Sequence, residues 1–281
     1  MVSQSGGAIS CNANFAGHFK DCACAGNSAQ GYGGVIYCNH EFTGTIQSCT
    51  FGGNSAIVGS GGVLYCGQSF TGTIQSCTFE SNWTNGTAGP GGTGGTGGAL
   101  RFVTLAGDLE SSQFGGNRAG NSGGAVYCNT LFRDCALRNC TFESNWADGS
   151  ASAGGAIYIG TLAGALESSP FRGNWATRRG GAVACVTNFT GKIQSCTFES
   201  NWANSNGGAI YCEFFSGDGT IRDCTFEGNW ASWNGGAIYC YESFTGKIQS
   251  CTFESNWAKG NYGGAVYCAT LAGDLESSQF G

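Results

Sequence analysis

One feature limits the fold more than any other: the chain repeats itself. A Gly-Gly pair, then a small or apolar residue, an aliphatic, usually Tyr and usually Cys, begins at residues 6, 33, 61, 97, 123, 154, 180, 207, 235 and 263. A second signature, Phe-x-x-Asn, alternates with it at Phe51, Phe79, Phe114, Phe142, Phe171, Phe198, Phe226 and Phe253. Cys24 takes the Phe place in a first variant, and Phe280 opens a last copy. The stretch TGKIQSCTFESNWA occurs letter for letter at 190–203 and 245–258, with a near copy at 71–83. Units run 26–28 residues, stretched by insertions at 84–96 and 147–153, and the register resumes after each. The chain therefore reads as one domain, 1–281, with two loop insertions.

Helical repeats of this length need apolar residues at a 3.6-residue period, and none is present. Each unit instead supplies short segments such as GGAIYC and IQSCTF, rich in Ile, Val, Tyr, Thr and Phe, with Gly and Asn at the corners. That is one coil of a parallel β-helix. Ten coils stacked at the inter-strand spacing make a rod about 45–50 Å long. Alternation turns the aliphatic and Cys of GGAIYC inward and Tyr outward, and puts Cys and Phe of SCTF on one inner face. The corner asparagines Asn27, Asn54, Asn82, Asn117, Asn145, Asn174, Asn201, Asn229 and Asn256 form a ladder whose amides satisfy one another from coil to coil. Ala29, Ala56, Ala119, Ala147, Ala176, Ala203, Ala231 and Ala258 suit a tight inner bend. Composition agrees: 51 Gly, 13% aromatic and 11% charged residues are not those of a disordered chain.

GGAI paired with FxxN, in copies such as Gly207–Cys212 and Phe198–Asn201, resembles the repeat of the chlamydial polymorphic outer-membrane proteins over essentially the whole chain. The resemblance implies a right-handed β-helix, which with the ten units of the repeat makes an all-β, right-handed parallel β-helix, a solenoid of about ten coils. It also implies an autotransporter-like surface passenger, often adhesive. MVSQSGGAIS lacks the charge and apolar core of a signal peptide.

The cysteines fall in two rows. Cys11, Cys38, Cys66, Cys128, Cys185, Cys212, Cys240 and Cys268 follow the Tyr position; Cys22, Cys49, Cys77, Cys140, Cys196, Cys224 and Cys251 precede Thr-Phe. Seven units hold both, and two hold neither, with Phe102 and Ser112 in one and Ile159 and Ser169 in the other. Presence and loss in pairs predicts staples 11–22, 38–49, 66–77, 128–140, 185–196, 212–224 and 240–251, each worth about 3 kcal/mol for a loop of this size. A buried ladder of thiols is the alternative. Cys24 and Cys268, at opposite ends, suggest a bond between subunits; Cys135 is left over. Only two His, His18 and His40, and no repeated CxxC argue against a zinc framework. No metal or cofactor is expected.

A solenoid normally caps its end coils. No cap is evident, and the closing words TLAGDLESSQF at 270–280 also occur at 104–114, there followed by a complete corner. One subunit's end is thus expected to be continued by another's beginning, a heterologous contact that gives open filaments. Trp83, Trp146, Trp175, Trp202, Trp230 and Trp257 form an outward row, and Tyr37, Tyr65, Tyr127, Tyr158, Tyr211, Tyr239 and Tyr267 a second. Such rows imply lateral bundling or a glycan partner, unless the Trp rings fold over neighbouring coils. Asn85, Asn139 and Asn188 are glycosylation acceptors if the source cell glycosylates. Glu199, Glu227 and Glu254 stack and admit calcium without requiring it.

A net charge of −6 with dispersed basic residues argues against nucleic acid. No apolar run is long enough to span a membrane. Polysaccharide-cleaving β-helices break their repeats with grouped carboxylates and bases; here the repeat is kept, so no enzyme activity is expected. A Thr row (Thr50, Thr78, Thr141, Thr197, Thr225, Thr252) raises ice binding, which neighbouring Glu residues disfavour. The reading is an extracellular structural protein, a filament subunit that polymerises with itself; the alternative is an adhesin segment that binds cells or glycans.

Overall fold

The computed structural model describes residues 4–86, 95–260 and 262–281, so 87–94 of the first insertion lie outside the described residues. One coil shows the plan: strands Ile210–Cys212, Thr220–Arg222, Thr225–Glu227 and Trp230–Ala231. The same four positions recur along the chain and stack into four parallel sheets, here sheets 1 to 4 in that order. Sheets 1 to 3 hold ten strands each and sheet 4 holds nine, among the described residues. This makes nine complete turns and a tenth of three strands, close to the ten expected. The fold is an all-β parallel β-solenoid. Among the described residues no helix is long and apolar enough to cross a membrane.

Register follows the repeat. Ile210 pairs with Ile238, Tyr211 with Tyr239 and Cys212 with Cys240, so like lies on like. Phe79 pairs with Phe114 across the first insertion, which therefore leaves sheet 3 unbroken. The inward Phe rings stack 4.8 Å apart from Phe79 to Phe114 and from Phe114 to Phe142, with planes within 5°. That distance is the strand spacing itself, so the backbone repeat sets the ring contact. The aliphatic of GGAIYC and both cysteine rows join this one core, and the Ala row is fully buried from Ala29 to Ala231.

The corners explain the glycines. Gly207 has φ +69°, and a Cβ there would sit 2.3 Å from the Ile210 carbonyl oxygen. Gly208 lies so close to the next coil that its Cβ would sit 2.1 Å from the Gly236 carbonyl oxygen. The first glycine makes the turn, and the second permits the stacking. The corner between sheets 2 and 3 instead holds a left-handed Ser, Asp or Asn in each coil, such as Ser195 (φ 53°).

One expectation changes. The Tyr row points outward from sheet 1 but is not an exposed surface throughout. Tyr211 is fully buried and Tyr239 nearly so, in a small second core with Ala153 and Ala184. The segments leading from sheet 4 back to the Gly-Gly corner lie over this face: Tyr32 packs, tilted, against Tyr65 and Arg179 covers Tyr211.

Candidate functional site

The Asn ladder is continuous from Asn27 to Asn256. Asn117 donates from Nδ2 to Asn145 Oδ1 at 3.0 Å and to the Phe79 carbonyl at 2.9 Å, and its backbone N–H reaches the same Oδ1. An acceptor that takes two N–H groups at once, repeated at each level, leaves no amide unpaired inside the ladder.

All seventeen cysteines are thiols in the structure, so none of the seven predicted staples is bonded here. The cysteine–cysteine interactions among the described residues run along a row, between coils, and not across a coil. Cys38 meets Cys11 and Cys66, Cys212 meets Cys240, and Cys224 meets Cys196 and Cys251. The second row has its own hydrogen-bonding role. Cys49 Sγ accepts the N–H of Cys22 and donates to the Gln47 carbonyl. Ser112 and Ser169 do the same where the row lacks sulfur: each Oγ accepts the N–H of Cys77 or Cys140 and donates to the carbonyl two residues back. Across the core, Phe102 and Ile159 add bulk in the coils where Ser112 and Ser169 remove it. Paired loss therefore also keeps the core volume of those two coils nearly constant.

Burial pushes the thiols of Cys66, Cys128, Cys140 and Cys185 up to about 12, and that of Cys77 to about 11. Cys24 sits near Cys22 and Cys49 on sheet 3, whereas Cys268 lies on sheet 1. Cys135 has Asp108 and Asp134 as its charged neighbours.

The Trp row stands on sheet 4, interrupted by Arg118 between Trp83 and Trp146. Ring centroids are 5.7 Å apart from Trp175 to Trp202 and 5.1 Å from Trp202 to Trp230. Trp83, Trp146, Trp202 and Trp257 are exposed while Trp175 and Trp230 are half-buried, so the rings partly cover one another and still present an aromatic strip. Asn85 and Asn139 are exposed; Asn188 is half-buried and accepts from Ser216. Glu199, Glu227 and Glu254 pair rung on rung, and Glu199 is bridged by Arg172 at 3.0 Å. Among the described residues no group of His, Cys, Asp and Glu is arranged to hold a metal.

Two features were not read from the sequence. The end coils carry complementary groups at matching rungs: His18 and Lys20 on the first strand of sheet 2, Asp274 and Glu276 on the last, where Lys247 of the preceding coil bridges both carboxylates. Arg178-Arg179, the one adjacent basic pair in the chain, lines a groove of about 300 Å³ on the outer side of sheet 1. The dipeptide itself was the available signal.

These geometries define the class of molecule: a parallel β-solenoid repeat protein, built from ladders of identical side chains. Six segments, residues 21–39, 111–129, 139–160, 195–213, 223–241 and 250–269, match the family model of the Chlamydia polymorphic membrane protein (Chlamydia_PMP) repeat, the repeat that the sequence resembles. Each match runs from the corner between sheets 2 and 3, through the ladder Asn, to sheet 1 of the next coil. No curated protein matches the chain.

Proposed function

We propose that this chain is an extracellular structural solenoid, a surface passenger of the autotransporter kind, whose coils are continued end to end by further copies of itself. The repeat family and the β-solenoid support the surface role and a non-catalytic one. One observation carries the stacking. The words DLESSQF at 108–114 and 274–280 occupy the same rungs in two coils. In the interior copy the next coil answers with Arg138, which bridges Asp108 at 2.8 Å and Glu110 at 3.0 Å. Lys20 holds the rung of Arg138, since the column reads Lys20, Gln47, Gln75, Glu110, Arg138. A second copy set on the last coil would bring Lys20 to Glu276, His18 to Asp274 and Phe19 to Leu275. It would also cover Leu271, Leu275 and Phe280, each about half exposed. Unpaired strand edges with complementary charge recruit further strands. In this register Cys268 faces Cys11, and Cys24 faces Phe280, so a bond between Cys24 and Cys268 is no part of the stack.

The exposed Trp strip favours a second reading, an adhesin segment that binds cells or glycans along its side. Electron microscopy of the purified protein over a range of concentrations separates the two. Rods that lengthen with concentration support stacking; rods of one fixed length at every concentration would refute it.

A further inference from the structure

Along the outer face of sheet 1 the column from Tyr37 to Tyr267 is Tyr except at Arg101 and Ala184. The two exceptions flank one pair of rings. Tyr127 and Tyr158 stack 4.4 Å apart with planes 4° from parallel. On one side Arg101 is 7% exposed, its guanidinium 5.3 Å from the centroids of both Tyr65 and Tyr127, with Nη1 unpartnered. On the other, Ala184 removes a ring from the column, so the described ring contacts of Tyr158 are with Tyr127 alone. Arg179 lies beside this gap, 4.7 Å above Tyr211, with a buried, unpartnered Nε. The groove runs here, lined by Tyr127, Tyr158, Ser122, Thr96, Arg178 and Arg179, and bounded by Ala151 and Ala153 of the second insertion.

Charge and shape agree on an occupant. Arg101 and Arg178 make no ion pair among the described residues, and Arg179 reaches one carboxylate, Glu213, at 3.9 Å. The guanidinium groups of Arg178 and Arg179 line the groove and that of Arg101 is buried beside Tyr127, one of its lining rings, so positive charge is in local excess in a chain of net charge −6. Guanidinium is planar and matches a carboxylate or sulfate with two parallel hydrogen bonds. The aromatic wall suits a ring that is apolar on one face and rich in oxygen at its rim, while the hydroxyls of Ser122 and Thr96 are buried and donate to Asn121 and Ser60. In a solenoid, where structural residues recur at each level, departures that converge from separate coils mark a site with another purpose.

We propose that this groove binds an anionic sugar residue: Arg178 and Arg179 hold its carboxylate or sulfate, and Tyr158 packs against its ring. The site lies on the side of the rod and does not depend on end-to-end stacking. The test is titration calorimetry of the full chain with three probes: a sulfated uronic-acid disaccharide, its uncharged analogue and inorganic sulfate. The sulfated disaccharide is expected to bind at least tenfold more tightly than either of the others. Arg178→Ala, at an exposed position, should weaken it at least tenfold, and Ala184→Tyr, which refills the column, should do the same. Arg172→Ala, on sheet 3, should leave binding unchanged. Equal affinity for wild type and Arg178→Ala, equal affinity for the uncharged sugar, or inorganic sulfate binding as tightly as the disaccharide would each overturn the proposal.

Discussion

Asn145 donates from Nδ2 to Oδ1 of Asn174, one coil on, at 3.0 Å, and the same Oδ1 takes the backbone N–H of Asn145 at 3.0 Å. Asn145 also donates to the Phe114 carbonyl and accepts two N–H groups from Asn117. Replacing it by Ala strands two donors on Asn117 and takes a donor from the Phe114 carbonyl, all at a site with almost no exposure, while Asn174 Oδ1 keeps only the backbone N–H of residue 145. Asn145→Ala should cost at least about 3 kcal/mol, because each stranded buried group forfeits its hydration without recompense. Asn204→Ala, at an exposed position, should stay within about 0.5 kcal/mol. Denaturant unfolding compares the two, and equal midpoints would show that the ladder is decoration.

Glycine should matter by position. Gly208→Ala drives a Cβ to 2.1 Å from the backbone of the next coil and should cost about 3 kcal/mol or more. Gly52 has nothing within 4 Å of such a Cβ and shares its rung with Glu80. Gly52→Ala should raise stability by about 0.5 kcal/mol, by narrowing the unfolded ensemble. Thermal melts of the two variants should move in opposite directions.

Thiol counting tests the cysteine rows. Thirteen of the seventeen are buried; Cys11, Cys22, Cys24 and Cys268 are partly exposed. Alkylation of the native protein should label only those four quickly, and denaturation without reductant should expose all seventeen. Recovery of three thiols after denaturation would instead restore the seven cross-coil staples. The buried thiols also set a pH dependence. Their native pKa values, raised to about 12 for Cys66, Cys128, Cys140 and Cys185, stand above the ordinary 9.0. The native state therefore holds these protons more tightly than the unfolded chain. Their contribution is intact below pH 9.0 and is lost as pH climbs from there to about 12. Denaturant midpoints should fall steadily across that window, and a Cys→Ser variant of Cys66 should fall less.

Much of the fold was legible, because a ladder writes the same rung at each level. Phe79 over Phe114, Asn145 under Asn174 and Ala176 beside Ala203 all follow from the period and from two-residue alternation. What the period does not encode was harder to read. Tyr211 looks outward by alternation, yet it is buried by Arg179, a residue from a return segment whose path the repeat does not specify. The paired loss of Cys at Phe102 and Ser112 predicts a bond within the coil, and the hydrogen-bonding role of that row, seen where the N–H of Cys77 meets Ser112 Oγ, is a second use of the position that the sequence does not show. Arg138 between Asp108 and Glu110 is a contact between coils of different sequence, so no repeat predicts it.

The stacking account rests on Lys20 meeting Glu276 of another copy, and charge reversal at that rung tests it most directly. Sedimentation velocity over a range of concentrations would follow the wild type, Lys20→Glu, and the double variant Lys20→Glu with Glu276→Lys. The account predicts species that lengthen with concentration for the wild type, arrest near the single chain for Lys20→Glu, and renewed growth for the double variant. A wild type that stays a single chain at every concentration, or a Lys20→Glu protein that lengthens as the wild type does, would contradict it.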